Sequence, residues 1–295
     1  MNDLQEELNM TTIKIMTDST VQLSQEEKDT YGITVIPLST MIQNTMYYDN
    51  QTISKAEFLK KMNESPSLPK TSQPAVGQYL ELYNQLGADG SEMRSIHVAD
   101  YLSGTYSAAV QASSMTKSNV TVRNSGTLDR AMAYQVLTAA EMAQNNASME
   151  EIVTALDKLK ENIGFYVGVV DLENLIKGGR IGKTLGHIST LLNVKLMLEV
   201  TDESLVPITK GRGLKALKKK FNEIVQTMKE QGNIQQIGIT HVGLTDFTEE
   251  LISELKAQFP NAAYHIAYAS PTLMTHAGKG AFAITYLAEN EEQTV

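Results

Sequence analysis

The strongest constraint on this chain is a repeated change of period through its first half, where short β-branched apolar runs alternate with segments whose apolar residues recur at helical spacing. IKIMTD (13–18) reads as a strand closed by a turn signal. SQEEKDTYG (24–32) places a serine cap ahead of acidic residues and ends on glycine, as a short helix does. ITVIPLSTMI predicts a second strand, TMYYDNQTI a polar hairpin and SKAEFLKKMNES an amphipathic helix. TSQPAVGQYLELYNQLGADG follows as a helix begun by hydroxyl residues and Pro74 and stopped by Gly87 and Gly90. RSIHVA, SGTYSAAVQASSM, NVTVRNS and DRAMAYQVLTAAEMAQNN continue as strand, helix, strand and helix. Such alternation predicts a mainly parallel sheet with helices on both faces, because parallel neighbours need a crossover connection.

After SMEEIVTALDKLKENIG the pattern changes. GFYVGVV, KLMLEVTDESLVPITKGR, QIGITHVG, AYHIAYAS and FAITYLAE read as strands, with a hairpin at LEVTDESLVPI, and LKALKKKFNEIVQTMKEQ reads as a helix. A mixed or antiparallel sheet with helices is expected here. The expected fold class is therefore α/β in two domains, residues 10–160 and 161–295, closely packed at a boundary near 160 and holding a ligand between them. No repeat of solenoid period is present, although THVG (240–243) and THAG (275–278) echo one another.

Composition narrows the partners. Acidic residues number 34 against 25 basic ones, and a net charge of −9 repels a phosphate backbone, so nucleic acid is not an expected partner. The absence of cysteine excludes disulfides, thiolate metal ligands and thiol nucleophiles, and suits a reducing cytoplasm. MNDLQEELNM lacks the basic and apolar regions of a secretory signal, and no window approaches about 18 uninterrupted apolar residues. Met10, directly before the first strand, is a candidate start of the folded chain.

In open α/β sheets, ligands sit beyond the carboxyl ends of the strands. ADYLSGTY (99–106) stands in that position. A helix beginning after Ser103 would aim the N–H groups of Gly104, Thr105 and Tyr106 into the crevice and add a hydroxyl, which suits an anion. Simple capping by Ser103 is the alternative. PKTSQP (69–74) poses the same choice: Thr71 or Ser72 caps a helix with Pro74 in its first turn, or their hydroxyls converge on the same crevice.

KGGRIGKT (177–184) is an incomplete phosphate loop, with Lys177 where the first glycine belongs and a helix-like DLENLIKGG ahead of it, so ATP binding is not expected. Arg180 in this glycine-rich turn is either an exposed loop charge or a bidentate contact for an anion. The five histidines show no metal-ligand spacing, and neither zinc nor another cofactor is expected. His97 and His265 fall in strands and His187 in a helical run, while His241 and His276 are loop candidates that physics alone does not separate. RGLKALKKKF (212–221) is a solvated helix face or a dock for an acidic partner or an anionic membrane surface. The scattered methionines fill irregular core space or adapt to an apolar chain.

Taken together, TDST (17–20), TSQP (71–74), LSGTY (102–106), KGGRI (177–181) and THAGKGA (275–281) resemble, in order, the motifs of the DegV family, whose better-characterised members are the fatty-acid-binding subunits of bacterial fatty acid kinase. The resemblance implies a non-catalytic, cytoplasmic lipid-binding protein that encloses one long-chain fatty acid. Thr71 and Ser103 would hydrogen-bond the carboxylate, Arg180 and His276 would orient and partly neutralise it, and Ser72, Gly104 and Thr105 would lie around the head group. The partner implied is a separate ATP-dependent kinase that converts the carboxylate to acyl phosphate for phospholipid metabolism. Ala75 and Lys279 depart from the family's pattern, and NSGTLDRAMAY (124–134) matches it only loosely. The alternative function is a serine-dependent esterase or acyltransferase using Ser103 and His276, but LSGT is not a G-x-S-x-G elbow.

A fatty acid fits this residue set. Its carboxylate is buried only where charge and hydrogen bonds replace water, which one arginine and two hydroxyls supply. Affinity then comes from the tail: about 0.8 kcal/mol per methylene gives roughly 8 kcal/mol for ten, before the costs of binding.

Overall fold

A computed structural model describes residues 12–180 and 193–289. Met10, His187 and the part of KGGRIGKT from Ile181 onward lie outside the described residues. In chain order the elements are β1 (Ile13–Asp18), α1 (Gln25–Tyr31), β2 (Thr34–Ile36), β3 (Ser39–Ile42), β4 (Thr45–Tyr48), α2 (Lys55–Glu64), β5 (Lys70–Ser72), α3 (Val76–Leu86), β6 (Glu92–His97), α4 (Thr105–Ser113), β7 (Val120–Asn124), α5 (Asp129–Gln144) and α6 (Met149–Leu159). They continue with β8 (Ile163–Val169), α7 (Glu173–Lys177), β9 (Val194–Val200), β10 (Leu205–Arg212), α8 (Leu214–Glu230), β11 (Ile234–His241), α9 (Asp246–Gln258), β12 (Ala263–Tyr268), α10 (Pro271–Ala277) and β13 (Phe282–Ala288). The expected α/β class, with one parallel and one mixed sheet, is what the chain adopts.

Two compact units share these elements. One comprises the chain up to Pro37 with Gln73–Leu128 and Met132–Glu161; the other comprises Leu38–Ser72, Asp129–Ala131 and the chain from Asn162. The chain therefore changes unit after Pro37, Ser72, Leu128, Ala131 and Glu161. Pro37 also divides ITVIPLSTMI, which reads as one strand in the sequence, into β2 and β3. It has no N–H to give to a ladder, so the strand stops there and a different sheet begins after it.

The first unit is built on a four-stranded parallel sheet in the order β2-β1-β6-β7. Side chains alternate across it. Ile15 and Ile96 pack with Met132, Val136, Ile152 and Leu156 of α5 and α6. Met16 and Met93 point the other way and pack with Tyr79, Tyr83, Ala108 and Ala112 of α3 and α4. Helices thus cover both faces.

The second unit holds a six-stranded mixed sheet, β10-β9-β8-β13-β11-β12, and a small antiparallel sheet, β4-β3-β5. One face of the larger sheet carries Ile237, Ile239, Phe282, Ile284 and Tyr286, packed against Leu217, Phe221 and Ile224 of α8 and Leu251 and Leu255 of α9. The smaller sheet packs Ile42 with Phe58 and Met62 of α2 and Met274 of α10. That cluster sets α10 beside β3 and β5. No helix among the described residues is long and apolar enough to cross a membrane.

Candidate functional site

The TSQP motif does not begin a helix. Thr71 and Ser72 lie in β5, where Thr71 pairs with Thr40 and Ser72 with Ser39 of β3. The helix that follows starts at Val76 and takes its cap from Gln78, whose side-chain oxygen accepts the Ala75 N–H at 2.9 Å. With capping done elsewhere, the Thr71 hydroxyl is available for another partner. It meets His276 Nε2 at 2.9 Å.

His276 is not a loop residue, as the glycines after it suggest, but the sixth residue of α10. Ser270 caps that helix, its Oγ accepting from Leu273 N at 3.3 Å, and Pro271 occupies the first turn. Asp49 ties the helix to the small sheet, accepting from Thr272 N at 3.3 Å and from Thr40 Oγ1 at 3.4 Å. From the other side, Asn174 of α7 donates Nδ2 to Thr275 O at 2.9 Å.

Gly178, just after α7, closes the arrangement. A Cβ there would lie 2.5 Å from His276 Nδ1 and 2.9 Å from Asn174 O, so only glycine lets the imidazole approach this turn. Its φ of −72° is open to any residue, and space alone makes the requirement. His276 Nδ1 is buried and has no hydrogen-bond partner among the described residues.

Protonation follows from these contacts. Burial, reinforced by the positive Arg180 nearby, lowers the His276 pKa to about 4, so the ring is neutral at pH 7. A neutral ring has one N–H, and a buried N–H without a partner costs more than an unshared lone pair. The proton therefore belongs on Nε2, which donates to Thr71 Oγ1 and leaves the threonine hydroxyl proton for an acceptor outside the pair. Arg180 is exposed and donates Nη1 to Gly178 O at 2.7 Å. Thr71, His276 and Arg180 together offer one hydroxyl donor and one guanidinium, the kinds of group that bind an anion.

In the first unit, Ser103 lies in the loop before α4, where Gly104 holds the cap position. Its hydroxyl accepts from Thr105 N at 3.3 Å and lies 2.8 Å from Thr105 Oγ1. Thr105 is buried, and Ser72, in the second unit's β5, is exposed. The backbone of Gly104 is approached by the end of the Gln73 side chain, 2.1 Å from where a Cβ would stand. The Ser103 hydroxyl thus orders the turn while remaining partly accessible.

Beneath that loop is a network that the sequence did not reveal. Ser95 Oγ lies 2.7 Å from His97 Nε2, and His97 Nδ1 lies 3.1 Å from Asp18 Oδ2. Tyr83 completes the chain at Ser95 Oγ, 2.9 Å away. Serine, histidine and aspartate stand as in a hydrolase triad, yet all three are fully buried, so no substrate reaches the serine. Burial alone would raise the Asp18 carboxyl, but bonds from His97, Thr20 and Val98 outweigh it and hold it below the ordinary range. The network locks the end of β1 to the end of β6, from which the Ser103 loop departs.

The second loop candidate, His241, ends β11 with its ring 4.4 Å from that of Tyr268. Burial and then the charge of Lys55 lower its pKa. The adjacent Thr240 donates to Asp129 Oδ1 at 2.9 Å, and burial pushes the Asp129 carboxyl up to about 6. Asp129 lies in the loosely matching 124–134 stretch and takes φ +58°. Among the described residues, no group of three or more His, Asp or Glu could hold a metal ion.

A family model described as "uncharacterised protein, DegV family" matches residues 12–289, nearly the whole described chain. The chain belongs to the DegV family. It is 39% identical over 275 residues to a DegV domain-containing protein of Streptococcus pneumoniae, an alignment that covers 93% of this chain and 98% of that one. The structure of the Bacillus subtilis DegV, described as a fatty acid binding protein, superposes with a TM-score of 0.85 at 29% identity, covering 95% of this chain and all of that one. A DegV family protein from Thermus thermophilus, described by its fatty acid binding, gives 0.84 at 25% identity, again over 95% of this chain and all of that one.

Proposed function

We propose that this DegV protein binds a long-chain fatty acid and holds its carboxylate at Thr71, His276 and Arg180. The observation that carries the reading is the Thr71–His276 pair, in which a half-buried neutral imidazole orients a hydroxyl as a donor beside a guanidinium. A carboxylate arriving there gains a hydrogen bond from Thr71 and the charge of Arg180. The descriptions of the Bacillus and Thermus relatives as fatty-acid-binding support the choice of ligand. By the resemblance of their motifs, Ser103, Ser72, Gly104 and Thr105 are further candidates for contact with a fatty-acid head group.

The chain is a carrier in this reading rather than an enzyme. His276 Nδ1 has no carboxylate to orient it among the described residues, so the ring is poorly placed to act as the base of an esterase. Lys177 is the last residue of α7, a helix where a nucleotide-binding loop would need a strand. The family resemblance therefore supports delivery of the acid to a separate ATP-dependent kinase, where a carboxylate oxygen attacks the γ-phosphorus and releases ADP and acyl phosphate.

Extraction of the purified protein followed by mass spectrometry tests the reading, together with uptake of added oleic or palmitic acid. One long-chain fatty acid per chain is expected. Protein that is empty as purified and takes up neither acid contradicts it.

A further inference from the structure

Arg94 is 3% exposed, near the middle of β6, and its Nε has no hydrogen-bond partner among the described residues. Guanidinium groups are almost never buried without a counter-charge or acceptor. Register places its neighbours. Arg94 pairs with Thr121 of β7, and Ile96 pairs with Arg123, so Thr121 and Arg123 share the sheet face that carries Arg94 and is covered by α5 and α6.

Arg123, 9% exposed, is already partnered. It donates Nε to Gln135 Oε1 at 3.1 Å and Nη1 to Asp157 at 2.8 Å. Asp157 itself is 64% exposed at its side chain, so one mostly solvated carboxylate faces two buried guanidinium groups. Burial, followed by the neighbouring Arg123, lowers the Arg94 pKa to about 10, as expected of a cation short of negative charge. Arg123 lies on β7, the edge strand of the sheet, and Arg94 on β6, the strand beside it.

We infer that Arg94 and Arg123, with Thr121 beside them, form a binding site for a phosphate-class oxyanion in the first unit. A tetrahedral oxyanion has enough acceptors to take several N–H groups of Arg94, the Arg123 nitrogen left over from Asp157 and Gln135, and the Thr121 hydroxyl. It supplies the missing negative charge. The site is separate in chemistry and residues from the fatty-acid carboxylate group, and a failure here leaves that reading untouched.

Thermal unfolding of the full chain tests this, in inorganic phosphate and in chloride at matched ionic strength and pH. Phosphate also stabilises proteins by exclusion, so the quantity read is the difference between the unmodified protein and Arg94→Met. The unmodified midpoint is expected to rise about 3 °C more than that of the variant at saturating phosphate. In chloride the variant should be at least as stable, since an unpaired buried charge has gone. Glycerol 3-phosphate run in parallel separates the sources, because the tighter of the two ligands identifies a free anion or a phosphomonoester. An equal rise in both proteins overturns the inference. Should Arg94→Met not fold, the phosphorus NMR line of inorganic phosphate decides: broadening by the unmodified protein that sulfate reverses supports the site, and an unchanged line removes it.

Discussion

Thr71 Oγ1 and His276 Nε2 lie 2.9 Å apart although 205 residues separate them in the chain. One belongs to a three-residue strand and the other to a seven-residue helix, and each is held by its own supports. The small sheet fixes Thr71 through its pairing with Thr40. Asp49, Asn174 and the closeness of Gly178 fix the helix and the ring. Such preparation gives a hydroxyl one direction in which to donate before any ligand arrives.

Removing that donor has a defined consequence. Thr71→Val keeps the shape and deletes the hydroxyl, so fatty-acid affinity should fall about tenfold, the value of one hydrogen bond to a charged acceptor. Unfolding by urea should lose about 1 to 2 kcal/mol, because β5 keeps its ladder but the His276 Nε2–H loses its acceptor. A large loss of stability with unchanged affinity would show a structural threonine instead.

Gly178→Ala should act like a substitution of His276 itself. The new methyl would displace the imidazole and break its bond to Thr71, while φ −72° is comfortable for alanine. Binding titration should give weakening similar to that of His276→Asn. The double variant should be little worse than either alone, since both act through one contact.

The pH dependence of stability contains two opposed contributions from the second unit. His276 titrates near 4 when folded, below the 6.5 of the unfolded chain, so its contribution is complete above about 6.5 and is lost as pH falls through 4. Asp129 titrates near 6 when folded, above its unfolded 3.8, so its contribution is complete below about 3.8 and is lost as pH rises through 6. The windows overlap and largely cancel. Each is worth on the order of 3 kcal/mol. Relative to the unmodified protein, His276→Asn should lose stability as pH rises from 4 to 6, and Asp129→Asn should lose it as pH falls over the same range. Urea unfolding at several pH values measures both, and parallel curves for all three proteins would contradict the assignments.

The buried chain from Tyr83 through Ser95 and His97 to Asp18 predicts the reverse pattern, large effects on folding. Asp18→Asn should cost on the order of 3 kcal/mol in denaturant unfolding, because an amide cannot accept from His97, Val98 N and Thr20 together. Tyr83→Phe removes only the terminal bond, and about 1 kcal/mol is expected.

The strand and helix segments were legible because period 2 and period 3.6 differ over even a short run, and the two larger sheets have the parallel and mixed character that the two halves of the sequence suggest, whereas the small antiparallel sheet β4-β3-β5 lies within the half expected to be parallel. What was not legible depends on contacts far apart in the chain. Thr71 reads as a cap because hydroxyl residues before Pro74 usually are caps, and only the Gln78 side chain reveals that the cap is supplied from within the helix. His276 reads as a loop residue because THAGKG is rich in glycine, yet the Ser270–Pro271 start carries a helix through it. Gly178, Asn174 and Asp49 carried no signal of their own, since spacing cannot say which turn will face a distant imidazole. The attachment of residues 38–72 to the second unit was likewise invisible, apart from Pro37 at its start.

Carbon NMR of a long-chain fatty acid labelled at its carboxyl carbon tests the central claim most directly. With the unmodified protein, one narrow bound resonance is expected. The bound carboxyl should stay ionised to lower pH than the free acid, because Thr71 and Arg180 favour its charged form. In Thr71→Val and His276→Asn that resonance should move or disappear. A bound resonance indifferent to both substitutions, or none at all, would contradict the account.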